Sequence, residues 1–132
     1  MSDRPTESTP DSVSSSASSA GCTVTHRRVG TTHVVAVVGT VDTLTVSQLQ
    51  EAITVATGES PAALIIDLSQ VDFLASVGMG LLIQTNETLP PEQRFAVVAD
   101  GPATSRPLKL IGIADIVKVF ATLDRALAAV AA

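Results

Sequence analysis

The 132-residue chain has no tryptophan, no tyrosine and only three phenylalanines. Aromatic platforms for stacking nucleic-acid bases are therefore nearly absent, and a net charge of −5 gives no basic surface to follow a phosphate backbone. Direct nucleic-acid binding is not expected. A single cysteine, Cys22, excludes an internal disulfide and suits a reducing cytosol. No apolar run approaches the roughly 18 to 20 residues of a membrane span. Residues 1–20 also lack the apolar core of a signal peptide, so a cytoplasmic chain is expected. His26 and His33 are the only histidines. Neither has a Cys or His cluster at ligand spacing, so no metal site is expected, and no cofactor.

What is present divides in two. Residues 1–21 are rich in Ser, Thr and Pro and poor in large apolar side chains, a composition that cannot offset the entropy of ordering. They are expected to form a disordered tail, with a single domain over residues 22–132. That domain opens with a weakly alternating strand, Cys22–Val29, and a β-branched strand from Thr32 to Val38, joined by Gly30-Thr31 as an antiparallel hairpin. Gly39-Thr40-Val41-Asp42 reads as a turn. Thr45 and Gln48 then have the spacing of a capping box, and Leu49, Ala52, Ile53 and Ala56 form the apolar face of a helix stopped by Gly58.

The stretch from Ala62 to Leu89 organises the rest. Leu64-Ile65-Ile66 reads as a strand buried on both faces and ending at Asp67, followed by a second apolar patch over residues 71–74. A small-residue corner, Ala75-Ser76-Val77-Gly78-Met79-Gly80, leads into a helix that Pro90-Pro91 stops. Ser76 is the expected N-cap, its hydroxyl beside unpaired backbone N–H groups. Gly78 and Gly80, which lower helix propensity by about 1 kcal/mol each, read from spacing alone either as packing glycines beside a plain cap or as residues that keep the corner accessible. Arg94–Ala99 is a further strand, closed by Asp100-Gly101-Pro102. A short helix around Pro107 ends at Gly112, a strand covers residues 116–120, and Thr122 caps a last helix bearing Leu123, Ala126, Leu127 and Val130. Alternating strands and helices joined by short connections define a single α/β domain. Its sheet is mixed and mostly parallel, with an N-terminal antiparallel hairpin and about four helices.

The motifs around Ser76 resemble the STAS family, the domain of bacterial anti-sigma factor antagonists and of sulfate-transporter tails. Asp67-Leu68-Ser69-Gln70-Val71-Asp72-Phe73 is similar to the family's D-L-S/T-x-V/L-x-F element. Leu74-Ala75-Ser76-Val77-Gly78-Met79-Gly80 resembles its hydrophobic-D-S-S/T/A-G-L-G element, with Ala75 in place of the usual acid and Val77 in place of the usual small polar residue. Gly39, Asp42, Thr45 and Leu49 match a third pattern, G-E-L-D-x-x-T-x-x-x-L, which here lacks the Glu. The stretch from Leu108 to Phe120 resembles the family's C-terminal pattern, so the likeness runs over residues 22–131.

The resemblance implies a STAS fold and an anti-sigma factor antagonist. Such a protein binds a serine-kinase-type anti-sigma factor, releases a sigma factor for transcription, and is switched off when the kinase phosphorylates Ser76. A phosphatase reverses the switch. It further implies a partner-binding surface of Asp42, Thr43, Ala75, Ser76, Val77, Gly78, Met79 and Gly80, on a monomer or weak dimer with no catalytic residues of its own. Within the family the alternatives are a STAS subunit of a stress-signalling or lipid-transport complex whose serine is not phosphorylated, and a weak nucleotide- or small-ligand-binding module. A hydrolase is disfavoured. Leu74-x-Ser76-x-Gly78 lacks the first glycine of a nucleophile elbow, and both histidines precede the serine.

Overall fold

β-Branched residues dominate Thr32–Val41, one of the two middle strands of the sheet, and the topology follows from it. The computed structural model describes residues 15–19 and 21–131. Six strands lie in sequential order: β1 (Ser15–Ser19), β2 (Cys22–Val29), β3 (Thr32–Val41), β4 (Ala63–Leu74), β5 (Arg94–Val98) and β6 (Lys118–Phe120). β1 pairs with β2 and β2 with β3 antiparallel, whereas β3–β4, β4–β5 and β5–β6 are parallel. Four α-helices complete the fold: α1 (Val46–Gly58), α2 (Ser76–Thr88), α3 (Ser105–Leu110) and α4 (Leu123–Ala131). A 3₁₀ turn at Ile113–Asp115 precedes β6.

The central strands are buried on both faces because helices cover both sides. On one face, Val35 and Val37 of β3, Leu64, Ile66 and Leu68 of β4, and Phe95 and Val97 of β5 pack under Leu49 and Ile53 of α1, Leu82 of α2 and Leu108 of α3. On the other, Val34, Ile65, Ala96 and Val98 pack under Ala126 of α4, with Leu123, Leu127 and Val130 alongside. Each fully buried Leu, Ile or Val contributes about 1.5–3 kcal/mol. Thr122 caps α4 as expected, its hydroxyl accepting the Arg125 N–H at 3.2 Å.

Several expectations need correction. The tail expected to be disordered to residue 21 joins the sheet over Ser15–Ser19. Residues 1–14 and 20, and the last residue, lie outside the described residues. The strand expected to end at Asp67 runs on without a break to Leu74. Register shifts at Ala36/Val38 and Gly39/Thr40 let β3 follow it. At the second shift Gly39 takes a φ of 106° and a Cβ there would strike the Gly21 carbonyl, which accepts the Thr40 N–H. Only glycine fits this crossing.

Candidate functional site

Pairing of β3 and β4 sets the site. The strands run parallel to the Val41–Leu74 register, and both chains leave the sheet at the same end. The Ala75 N–H donates to the Val41 carbonyl at 2.8 Å, so Ala75 stays extended at φ −77° and ψ 165° and becomes the N-cap of α2. Ser76 is therefore the first helical residue and not the N-cap, a correction of one position. Cross-strand pairing holds the preceding residue in the β region, and this overrides the capping preference of serine. The Gly78 and Met79 amides both reach back to the Ala75 carbonyl, at 2.9 and 3.2 Å. Ser76 is exposed, and among the described residues no hydrogen bond ties its hydroxyl. The amides of Ser76 and Val77, which precede the first of these bonds, have no acceptor within the helix, and with the helix dipole they give the corner a partial positive charge.

The neighbouring turn is built around Thr45, which is 2% exposed. Its hydroxyl accepts the Asp42 N–H at 2.9 Å and donates to the Thr40 carbonyl at 2.8 Å, so it makes no capping box with Gln48. Asp42 Oδ1 accepts the Leu44 N–H at 2.9 Å and the Thr45 N–H at 3.2 Å. The carboxylate thus holds a tight turn that presents Thr43 and Leu44 outward, Leu44 being 84% exposed. Thr40 Oγ1 donates to Asp72 Oδ1 at 3.1 Å, a second link between the two strand ends.

The eight residues expected to form one surface therefore separate. Thr43, Ser76, Val77 and Gly80 are exposed, and Asp42 and Ala75 are half-buried beside them. Gly78 and Met79 face the core, which corrects their assignment to the surface. A Cβ at Gly78 would lie 2.7 Å from both Leu74 Cδ1 and Val41 Cγ1, so this glycine lets α2 close onto the strand ends and does not hold access open. Gly80 has open space around it. Leu44 is an exposed apolar residue that motif reading passed over; Phe73, the last residue of the Asp67–Phe73 motif, is 54% exposed, on a strand where apolar residues ordinarily face inward.

At the other end of the sheet the structure brings the two histidines together. His26 Nε2 and His33 Nδ1 are 2.8 Å apart in a ring-to-ring hydrogen bond, and His33 Nε2 lies 3.5 Å from Glu59 Oε1. Burial lowers the pKa of both histidines; Glu59 opposes the shift and Arg28 adds to it. Cys22 is a buried free thiol whose pKa burial raises.

A mixed sheet with helices on both faces, and a serine at the first turn of the helix after its longest strand, define a STAS-type domain. The STAS domain family model matches residues 23–126, and the chain belongs to that family. It is 41% identical over 97 residues to the anti-sigma-F factor antagonist RsfB of Mycobacterium tuberculosis, covering 74% of this chain and 80% of that one. A crystal structure of an anti-sigma factor antagonist from Mycobacterium paratuberculosis superposes with a TM-score of 0.82 at 43% identity, over 84% of this chain and 95% of that one. The anti-sigma factor antagonist SpoIIAA in its unphosphorylated form shares the fold at 20% identity, with a TM-score of 0.62 over 79% of this chain and 92% of that one. Among the described residues no helix is long and apolar enough to cross a membrane.

Proposed function

We propose that this chain is an anti-sigma factor antagonist that docks a kinase-type anti-sigma factor through the Asp42 turn and the Ser76 corner, and that phosphorylation of Ser76 switches it off. The observation that carries this reading is the untied, exposed hydroxyl of Ser76 at the start of α2, set beside the outward Thr43-Leu44 turn. Leu44 and Val77 supply apolar contact area next to a hydroxyl that a kinase can reach. A phosphate there adds about −1.5 to −2 charges, which the positive end of α2 tolerates. At the interface the same charge must lose its water or meet an unfavourable partner surface. A hundredfold loss of affinity needs only about 2.7 kcal/mol, well within the penalty for desolvating an uncompensated charge. The switch then needs no refolding, and the protein serves as a kinase substrate with a phosphatase to reset it. The domain itself does no catalysis in this scheme, and its setting is the cytoplasm.

The flanking Ala75 and Val77 favour a second reading, a STAS subunit that binds its partner without being phosphorylated. Incubation with a cognate anti-sigma kinase and ATP, followed by intact-mass measurement of wild type and Ser76→Ala, separates the two. Addition of one phosphate to wild type and none to Ser76→Ala supports the switch. Partner binding with no phosphate on wild type supports the second reading, and a phosphate that persists on Ser76→Ala removes Ser76 from the mechanism.

A further inference from the structure

The chain's two histidines meet at the rim of the sheet opposite Ser76, and nothing in the docking reading uses them. With Val29 opposite Thr32, the hairpin register pairs Arg28 with His33 and His26 with Val35. His26 and His33 are thus diagonal neighbours on the face that α1 covers. They are 9% and 3% exposed, and Glu59, the residue that caps the C-terminal end of α1, reaches over them. One ligand atom from each of His26, His33 and Glu59 lies within 4.8 Å of the other two. We propose that His26 Nε2, His33 Nδ1 and the Glu59 carboxylate form a binding site for a divalent late first-row transition ion of the zinc class.

Donor chemistry supports this choice of ion. Imidazole nitrogens select zinc, copper and nickel over magnesium or calcium. Two nitrogens on one tetrahedral zinc-class ion, bound at about 2.0–2.1 Å, stand about 3.3 Å apart. The observed 2.8 Å contact is a hydrogen bond, so both rings must turn outward by about half an ångström and re-aim their nitrogens to admit the ion. Glu59 is nearly half exposed on a side chain that can swing in to close the remaining gap. Without the ion the carboxylate stands beside His33 Nε2 at 3.5 Å and favours the tautomer that leaves Nδ1 a lone pair facing His26; it leaves Nε2 when it turns to the ion, and His26 moves its Nε2 proton to Nδ1 to ligate. Neutral imidazole is the form that ligates, and burial disfavours the charged form of both rings. The C-terminal end of α1 adds a partial negative charge, and Arg28 is the nearby cation that opposes binding. A surface cleft of about 570 Å³, lined by His33, Glu59 and Glu92, gives the ion a path from solvent. A bound ion would tie the β2–β3 hairpin to the end of α1.

The test is calorimetric titration of the chelator-treated full chain with Zn²⁺, paired with Co²⁺ absorption. Imidazole proton NMR on wild type is the readout that needs no variant, because the chain holds two histidines. The expected result is one ion per chain at micromolar affinity, a raised melting temperature, shifts of both imidazole signals, and no thiolate-to-cobalt band from Cys22. His26→Gln and His33→Gln should each weaken binding at least about a hundredfold, and Glu59→Gln roughly tenfold. Absence of one-to-one binding, histidine signals unmoved by the ion, or undiminished affinity in folded His26→Gln/His33→Gln would overturn the assignment.

Discussion

Replacing Gly78 by alanine tests whether α2 is seated by close approach or by chance composition. Leu74 Cδ1 and Val41 Cγ1 would each stand 2.7 Å from the new methyl, far inside contact distance. The leucine methyl can rotate away, but Val41 is fully buried at the end of β3 and has little room to move. Overpacking of this kind costs about 1–3 kcal/mol. Gly→Ala in a helix returns up to about 1 kcal/mol, so the net effect of Gly78→Ala is a loss of about 0–3 kcal/mol. Gly80, two residues on, is the control: it is exposed with open space around it, and Gly80→Ala should stabilise by about 0.5–1 kcal/mol. The propensity gain is common to both variants, so their difference isolates the contact. Urea unfolding of the pair, read as free energies from a shared m-value, should separate them by about 1–3 kcal/mol. For a domain of this size that is a difference in melting temperature of about 3–5 °C per kcal/mol. Midpoints that agree within about 0.5 kcal/mol would refute the packing argument.

Three further outcomes follow from the geometry. Thr45→Val keeps the shape but leaves the Asp42 N–H and the Thr40 carbonyl without their partner, and should destabilise by about 1–3 kcal/mol relative to Thr45→Ser; equal stability of the two would contradict the turn assignment. Folded-state pKa values of His26 and His33 lie below the ordinary 6.5, so the unfolded chain binds more protons in acid; stability is full above about pH 6.5 and falls as the pH drops through the folded-state values. Urea midpoints between pH 7.5 and pH 5.5 should show that fall in wild type and a shallower one in His33→Gln, and equal slopes would count against the buried pair. Ser76→Asp should leave the melting temperature within a few degrees while weakening anti-sigma factor binding, because an acid at the first turn of α2 suits the helix dipole; a collapse of the fold would contradict the exposed placement.

Where the sequence could be read and where it could not follows from what each element buries. Cys22–Val29 and α4 were legible because alternation and helical spacing report a one-sided core. β4 looked broken at Asp67 for a physical reason: its pairing with β5 ends at the Asp67–Val98 register, and beyond it only β3 remains as a neighbour. The outer half can then carry Ser69, Gln70 and Asp72 and still be strand. β1 gives no apolar signal, since backbone pairing with β2 holds it as an edge strand. The displacement of Ser76 by one position required knowing that Ala75 bonds to Val41. The histidine contact, by contrast, was latent in the sequence: a two-residue turn at Gly30-Thr31 fixes the register that sets positions 26 and 33 on one face, and a search for short ligand motifs passes over pairs made by folding back.

The direction of β1 has a practical consequence. Because Ser19 pairs with Cys22 and Ser15 with His26, the chain enters the sheet near the hairpin rim and arrives at the Asp42 end only afterwards. A fluorophore, affinity handle or surface tether attached upstream of Ser15 would thus join the domain on the side away from Ser76. Such an attachment leaves the Ser76 corner facing open solution, which makes this side of the domain the natural place to anchor it when partners are captured or weighed.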